Sequence, residues 1–411
     1  MSQLKSMIIV MLMLTSALAG CTGTDSADGQ DGADGQDGAD GQDGADGQDG
    51  ADGQDGASGT NGGNGTETQR APLDASQAHL SHISLVLMDL RNANFSKAYL
   101  DSADLRYADL SNANLFNAYL RDADLSYADL SYADLSYTEM GDSRWQYADL
   151  TGADLSGADL SRADLRYANL SNADLSGADL SRADLRYADL SNANLSYAYL
   201  DAADLSNADL SSSTLFHTRA TNLPACPALL PIDWQCVNHN LVGPYADLTG
   251  ADLSGLNLSA VDLTGATLYH IRAVNLEVCP AFLPIDWQCV NHNLVGPTAD
   301  LEYANLALAN LAGANLYEAD LDYADLSYAN LSYANLSIAY LSNADLSYAD
   351  LTGADLTGAD LSHADLSHAD LSGANLSNAQ LGGANLGNAQ LGGADLSGVY
   401  WNTTICPDGT N

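Results

Sequence analysis

Residues 154–173 read DLSGADLSRADLRYANLSNA, and residues 174–193 repeat them with a single change, Asn169 giving way to Asp189. Inside this twenty-residue period runs a shorter one of five, Ala-(Asp/Asn)-Leu-Ser-x. An apolar residue at every fifth position fits neither the 3.6-residue helix nor the two-residue alternation of a long strand. A fixed short period marks a repeat architecture in which each unit stacks on the next. Within one unit, Ala163 and Leu165 fall on one side of a short strand and Asp164 on the other. Arg166 and Tyr167 must then turn the chain so that the next Ala-x-Leu again faces inward. Four such sides closed into a square use the twenty residues, and the chain climbs one strand spacing, ~4.8 Å, per coil.

This pattern closely resembles the pentapeptide-repeat family. The match runs over residues 78–218, 246–270 and 299–402, where A(D/N)LSx is nearly unbroken. The resemblance implies an all-β fold, a right-handed quadrilateral β-helix, with Leu central on each side and a small residue two before it. About 13 coils would give a rod of ~65 Å. Burying each Leu is worth roughly 1.5–3 kcal/mol, so a column of leucines lined by alanines is the expected core. Phe95 takes a central position in register, and the apolar run from Ile83 to Met88 is the expected cap of the first coil. Met140, Gly141, Ser143 and Trp145 disturb the pattern and predict a bulged coil. Trp401 falls at a central position and is expected to plug the last coil.

The rest of the chain divides around the repeats. Residues 1–20 read as a lipoprotein signal: Lys5, a short apolar run from Met7 to Leu14, then Leu18-Ala19-Gly20-Cys21, which resembles the prokaryotic lipobox. That run is too short to span a membrane. The resemblance implies that Cys21 carries a lipid anchor. Residues 21–70 form a Gly/Asp-rich stalk with Gly at every third position from Gly29 onward, similar to collagen-like tracts but lacking Pro. Both a flexible tether and a trimerising triple helix fit it. A β-helix over 71–218 then meets an insert (219–245), a short repeat block (246–271), a second insert (272–298), a final β-helix (299–402) and a tail (403–411).

The outward positions also repeat at twenty. Tyr107, Tyr127, Tyr147, Tyr167 and Tyr187 should form one vertical ladder, which either supports the rod or offers a strip for sugars or a protein partner. The two inserts are near copies, each with a Trp (Trp234, Trp287) and a Cys pair. The signal directs the chain to an oxidising place, which predicts disulfides Cys226–Cys236 and Cys279–Cys289. A zinc site built from His217, Cys226, Cys236 and His239, and its counterpart of His270, Cys279, Cys289 and His292, is the alternative. Trp234 and Trp287 are candidate binding tips or loop anchors. Cys406 has no obvious partner.

The formal net charge is −41, with 54 Asp+Glu against 13 Lys+Arg. That excess argues against ordinary nucleic-acid binding through a basic patch. It suits a solvated surface, a basic partner or divalent cations. No nucleophile elbow, HExxH, P-loop or dinucleotide fingerprint occurs, and the regularly spaced carboxylates do not make a concave pocket. No enzyme and no cofactor are expected. The leading expectation is a lipid-anchored structural or interaction rod at the periplasm or cell surface, with the membrane and an unknown protein or glycan as partners. The family resemblance supplies an alternative: some pentapeptide-repeat proteins mimic DNA by shape and charge and so occupy DNA gyrase. An acidic surface for divalent cations is a third.

Overall fold

The structure, a computed structural model, describes residues 72–409. The expected leader, the lipid anchor expected at Cys21 and the expected stalk, read as a tether or a triple helix, lie outside the described residues.

The hydrogen bonds of one unit explain why five residues recur. The Ala188 N–H donates to the Leu185 carbonyl at 3.0 Å and closes the corner. The Asp189 N–H reaches the Ala168 carbonyl one coil before, at 3.0 Å. Leu190 and Asn192 donate to the carbonyls of Asp209 and Ser211 one coil on, at 2.7 and 3.0 Å. Only the Ser191 N–H is left, and the Asp189 side chain accepts it at 2.9 Å. All five backbone donors are therefore satisfied, as a buried-core solenoid requires. The last bond is why the repeat keeps Asp or Asn before Leu: an Asx turn needs a side-chain acceptor two residues before the donor.

Parallel bridges link each such position to the one twenty residues on and define four columns. The first side runs through Tyr99, Tyr119, Glu139, Asp159, Asp179 and Tyr199. The second carries Asp104, Asp124, Arg144, Asp164, Asp184 and Asp204. The third carries Asp109, Asp129, Asp149, Asn169, Asp189 and Asp209, and the fourth Asn114, Asp134, Asp154, Asp174 and Asn194. At each corner the second residue is left-handed, φ near +60° (Tyr167 +60°, Asn192 +58°). The corner thus has the φ pattern of a type II turn, held by bonds to both neighbouring coils.

Inside, the leucines and alanines form the core; Leu165 and Ala163 are fully buried. The first coil departs from the pattern where its end would be open. Leu73, Ile83 and Met88 stand in the alanine slots and are half-buried, larger side chains covering the end of the leucine column. The bulge expected at Met140–Trp145 does not form. Glu139 and Arg144 keep the twenty-residue bridges in both directions. Trp145 fits because Ser143, in the alanine slot, takes the indole Nε1–H on its hydroxyl at 2.6 Å and in turn donates to the Met140 carbonyl. Trp401 is 41% exposed and sits at the end of the column rather than sealed in it.

Each insert is an enlarged coil: Arg219 bridges Asp247 and Arg272 bridges Asp300, both twenty-eight residues on. Each ends in a hairpin, β1 (Gln235–Val237) with β2 (Asn240–Val242), and β3 (Gln288–Val290) with β4 (Asn293–Val295). The block between them supplies five sides instead of four. Arg219 stacks in the first column and Arg272 in the second, so the second insert is displaced by one side.

Candidate functional site: the charged and aromatic columns

The tyrosine column forms as a continuous stack. Ring centroids from Tyr107 through Tyr127, Tyr147 and Tyr167 to Tyr187 lie 4.8–4.9 Å apart, with planes within 8°. The spacing is that of the coils, so each ring occupies the faces of its neighbours and presents its edge outward. Shorter stacks of the same kind join His79, Tyr99 and Tyr119, and Tyr328, Tyr348 and His368. Where glycine stands one coil on, the ring folds down over it. An ideal Cβ on Gly152 would come within 2.7 Å of the Tyr132 ring.

The charges divide by side, a feature five-residue reading does not reveal. Arg106, Arg166 and Arg186 follow the second column and pair with its aspartates; the Arg166 guanidinium lies 2.7 Å from Asp164 and 3.5 Å from Asp184. Arg121 and Arg162 follow the first column and pair with Glu139 and Asp142. Between Asp109 and Thr214 no lysine or arginine lies on the third or fourth side or at the corners that follow them. The block after the second insert goes further: no lysine or arginine follows Arg272. The positions of the arginines against the twenty-residue period carried this signal.

Electrostatics follow the local bonds. The serine two residues on holds Asp370 below the usual carboxylate range through its hydroxyl and N–H. The Ser76 N–H, then its hydroxyl, does the same for Asp74. Hydrogen bonds from Arg91 and Arg106 lower Asp89 and Asp104. At Asp164 burial pushes the carboxyl up, and bonds from Arg166 and Gln146 outweigh it. Asp322 moves the other way: burial raises it, the charges of Asp320 and Asp360 add to that, and the Ser342 N–H only partly offsets them.

In the inserts, Cys226 is bonded to Cys236 and Cys279 to Cys289, with Cα separations of 5.8 and 6.1 Å. With the sulfurs joined to each other, no Cys₂His₂ set remains, and among the described residues no group of three or more His, Cys, Asp or Glu is placed to hold a metal. Trp234 and Trp287 are half-buried and packed on the core. Each lies across a glycine, Gly243 and Gly296, where a Cβ would meet the indole at 2.5 and 2.3 Å. They anchor the hairpins. The exposed tips are Ile232 and Ile285, 89% and 90% exposed. Cys406 is a free, half-buried thiol.

The description "Pentapeptide repeats" matches eight copies, at residues 74–106, 103–142, 146–182, 178–215, 245–273, 299–332, 324–362 and 359–398, more than half the chain. The chain belongs to the pentapeptide-repeat family. Comparison with curated proteins returns no match. Among solved structures it is similar to HetL, a pentapeptide-repeat protein involved in heterocyst differentiation regulation in the cyanobacterium Nostoc, at 28% identity, over 80% of this chain and 91% of that one, TM-score 0.29. It is similar to a pentapeptide-repeat protein of the Arabidopsis thaliana thylakoid lumen at 36% identity, over 26% of this chain and 70% of that one, TM-score 0.20. It is also similar to QnrB1, a plasmid-mediated fluoroquinolone resistance protein, at 21% identity, over 47% and 89% of the two chains, TM-score 0.30.

These relatives correct the expectation of a lipid-anchored rod. HetL and QnrB1 are described as a differentiation regulator and a resistance protein, not as anchored surface rods. The membrane partner and the periplasmic or cell-surface address are withdrawn with it. The pentapeptide-repeat protein is a non-enzymatic solenoid.

Proposed function

We propose that this pentapeptide-repeat protein is a protein-binding module whose anionic sides take the place of DNA on a DNA-handling partner, with DNA gyrase the first candidate. The observation that carries this is the arginine-free pair of sides between Asp109 and Thr214. Where both columns carry Asp, as in Asp129 with Asp134 and Asp149 with Asp154, two carboxylates recur every coil. At ~4.8 Å per coil that is one charge per ~2.4 Å of rod, close to the ~1.7 Å per charge of duplex DNA. The rigid hydrogen-bonded coils hold these charges in line, as a basic groove adapted to phosphates requires. The tyrosine column borders the third side and adds apolar contact at its edge.

A gyrase supercoiling assay with the full chain tests the proposal. Inhibition at micromolar protein, relieved by raised salt, is expected. A fourfold variant, Asp129→Asn, Asp134→Asn, Asp149→Asn and Asp154→Asn, keeps every Asx turn and removes only charge, so inhibition should weaken at unchanged thermal stability. Unimpaired supercoiling and no gyrase binding by the wild type would overturn the reading.

A further inference from the structure

The two inserts are copies offset by fifty-three residues, Arg219 matching Arg272, and their arginines meet different partners. In the second, the Arg272 guanidinium lies 2.6 Å from Asp300, the residue stacked directly after it. In the first, Arg219 does not pair with its own stacked neighbour, Asp247. Its Nε turns back to lie 2.7 Å from Asp201, a contact too poorly aligned to count as a hydrogen bond. The sequence differs at this point: Ser254 stands where Asp201 does, so the second insert lacks the carboxylate that Arg219 lies against. Both Asp201 and Ser254 accept the backbone N–H of the residue twenty on, Thr221 and Val274 respectively, so the difference between them is charge.

In the first insert a depression of about 180 Å³ is lined by Tyr197, Tyr199, His217 and Asp247. Its walls are aromatic. Tyr197 and His217 stack at 5.3 Å and 21°. Tyr199 stands between Asp179 and Arg219 in its column, so neither adjacent coil supplies a ring to cover its faces. Asp247 spends one oxygen, Oδ1, on the Thr249 N–H and hydroxyl. The matching positions in the second insert, Gly250 and Asp252 in place of Tyr197 and Tyr199, supply no aromatic wall. There Arg272 itself bonds Asp300 and the Glu302 carbonyl, at 2.6 and 3.2 Å.

We propose that Tyr197, Tyr199, His217 and Asp247 form a binding site for an organic cation, guanidinium foremost, which pairs with Asp247 as Arg272 pairs with Asp300 in the second insert. A planar guanidinium pairs with a carboxylate and stacks on aromatic faces at once, and these are the two kinds of group the depression offers. The site borders the fourth side at Tyr197 but takes its carboxylate, Asp247, from the first column, and it does not depend on the gyrase reading.

The test is a titration of the full chain with N-acetyl-arginine amide, followed by saturation-transfer NMR at physiological salt. N-acetyl-citrulline amide serves as the neutral isostere and tetramethylammonium as a cation without donors. The arginine amide should bind, the citrulline amide should not, and tetramethylammonium should bind more weakly. Asp247→Asn keeps the acceptor for Thr249 and should weaken binding by about tenfold. Asp201→Ser copies the second insert, releases Arg219 to Asp247, and should abolish binding without touching the depression. Equal binding of the citrulline amide, or unchanged arginine binding in Asp201→Ser with wild-type thermal stability, would overturn the proposal. Should Asp201→Ser fail to fold, Tyr199→Leu decides in its place, since binding that survives it rules out the aromatic wall.

Discussion

Asn169 and Asp189, the one difference between two otherwise identical lines of sequence, face each other across adjacent coils as a bridged pair. Each caps its own corner: Asn169 Oδ1 accepts the Ser171 N–H at 3.1 Å, and Asp189 Oδ1 accepts that of Ser191 at 2.9 Å. Only the asparagine does more. Its Nδ2 donates to the Thr151 hydroxyl at 2.8 Å and lies 3.3 Å from Asp149 Oδ1. Asn169 therefore replaces a like-charge contact in the third column with a donor, at no cost to the turn.

It follows that the acceptor, not the charge, is what the corner needs. Asp189→Ala removes the only partner of the Ser191 N–H and should cost about 1 kcal/mol. Asp189→Asn should stay within ~0.5 kcal/mol of wild type. Urea unfolding of the two variants side by side checks this. Equal losses would mean that the carboxylate charge, rather than the Asx turn, holds the corner.

Asp322 sets a different pH dependence. Its folded carboxyl is raised above the ordinary value, so its stabilising contribution is full when it is protonated at low pH. That contribution is lost as pH rises through the folded value. At neutral pH the charge is a liability, and Asp322→Asn should raise the melting temperature while still accepting the Ser342 N–H. The gain should vanish by about pH 3, below the unfolded carboxylate range. The lowered groups act in the opposite sense. The contributions of Asp74, Asp89, Asp104, Asp164 and Asp370 are present above the ordinary carboxylate value and fade as pH falls through their folded values. Melting curves across pH 3–7 separate the two.

The period made the four-sided coil, the leucine column and the tyrosine ladder readable before any coordinates, because each follows from counting by five or twenty. What counting misses is where a side chain turns. The bulge expected at Trp145 fails because the Ser143 hydroxyl can serve the indole, a pairing two residues apart that no periodicity encodes. The indoles of Trp234 and Trp287 lie inward because Gly243 and Gly296 leave room for them, and the isoleucines beside them are left at the tips. Arg219 lies against Asp201 rather than Asp247, two carboxylates that the sequence presents alike. The trace of this in the sequence is the Asp201–Ser254 difference between the inserts.

The glycine beneath each insert tryptophan should be intolerant of a methyl group. At Gly243 a Cβ would fall 2.5 Å from the Trp234 ring, and the whole indole, not a flexible tip, would have to move. Overpacking of this kind costs typically about 1–3 kcal/mol. Gly243→Ala should lift the tryptophan, shift its fluorescence to the red and expose the first hairpin to protease, leaving the repeat blocks intact. Gly296→Ala should do the same at the second. Unchanged fluorescence and proteolysis would show that the hairpin absorbs the methyl by moving as a unit.

Trp145 offers the sharpest test of the core. It is fully buried at a position that leucine otherwise holds, and its Nε1–H has the Ser143 hydroxyl as partner. Ser143→Ala restores the consensus residue of the repeat, so pattern alone predicts a neutral or stabilising change. Physical accounting predicts the reverse: a buried indole N–H loses its acceptor, at about 1–3 kcal/mol. The double variant Ser143→Ala with Trp145→Leu returns the coil to Ala-x-Leu and removes the orphaned donor together with the serine. It should recover most of the loss. A single variant as stable as wild type would show that the indole finds another acceptor. A double variant no better than the single would show that the surrounding coils are shaped to the tryptophan itself, and that the cost lies in the cavity left behind.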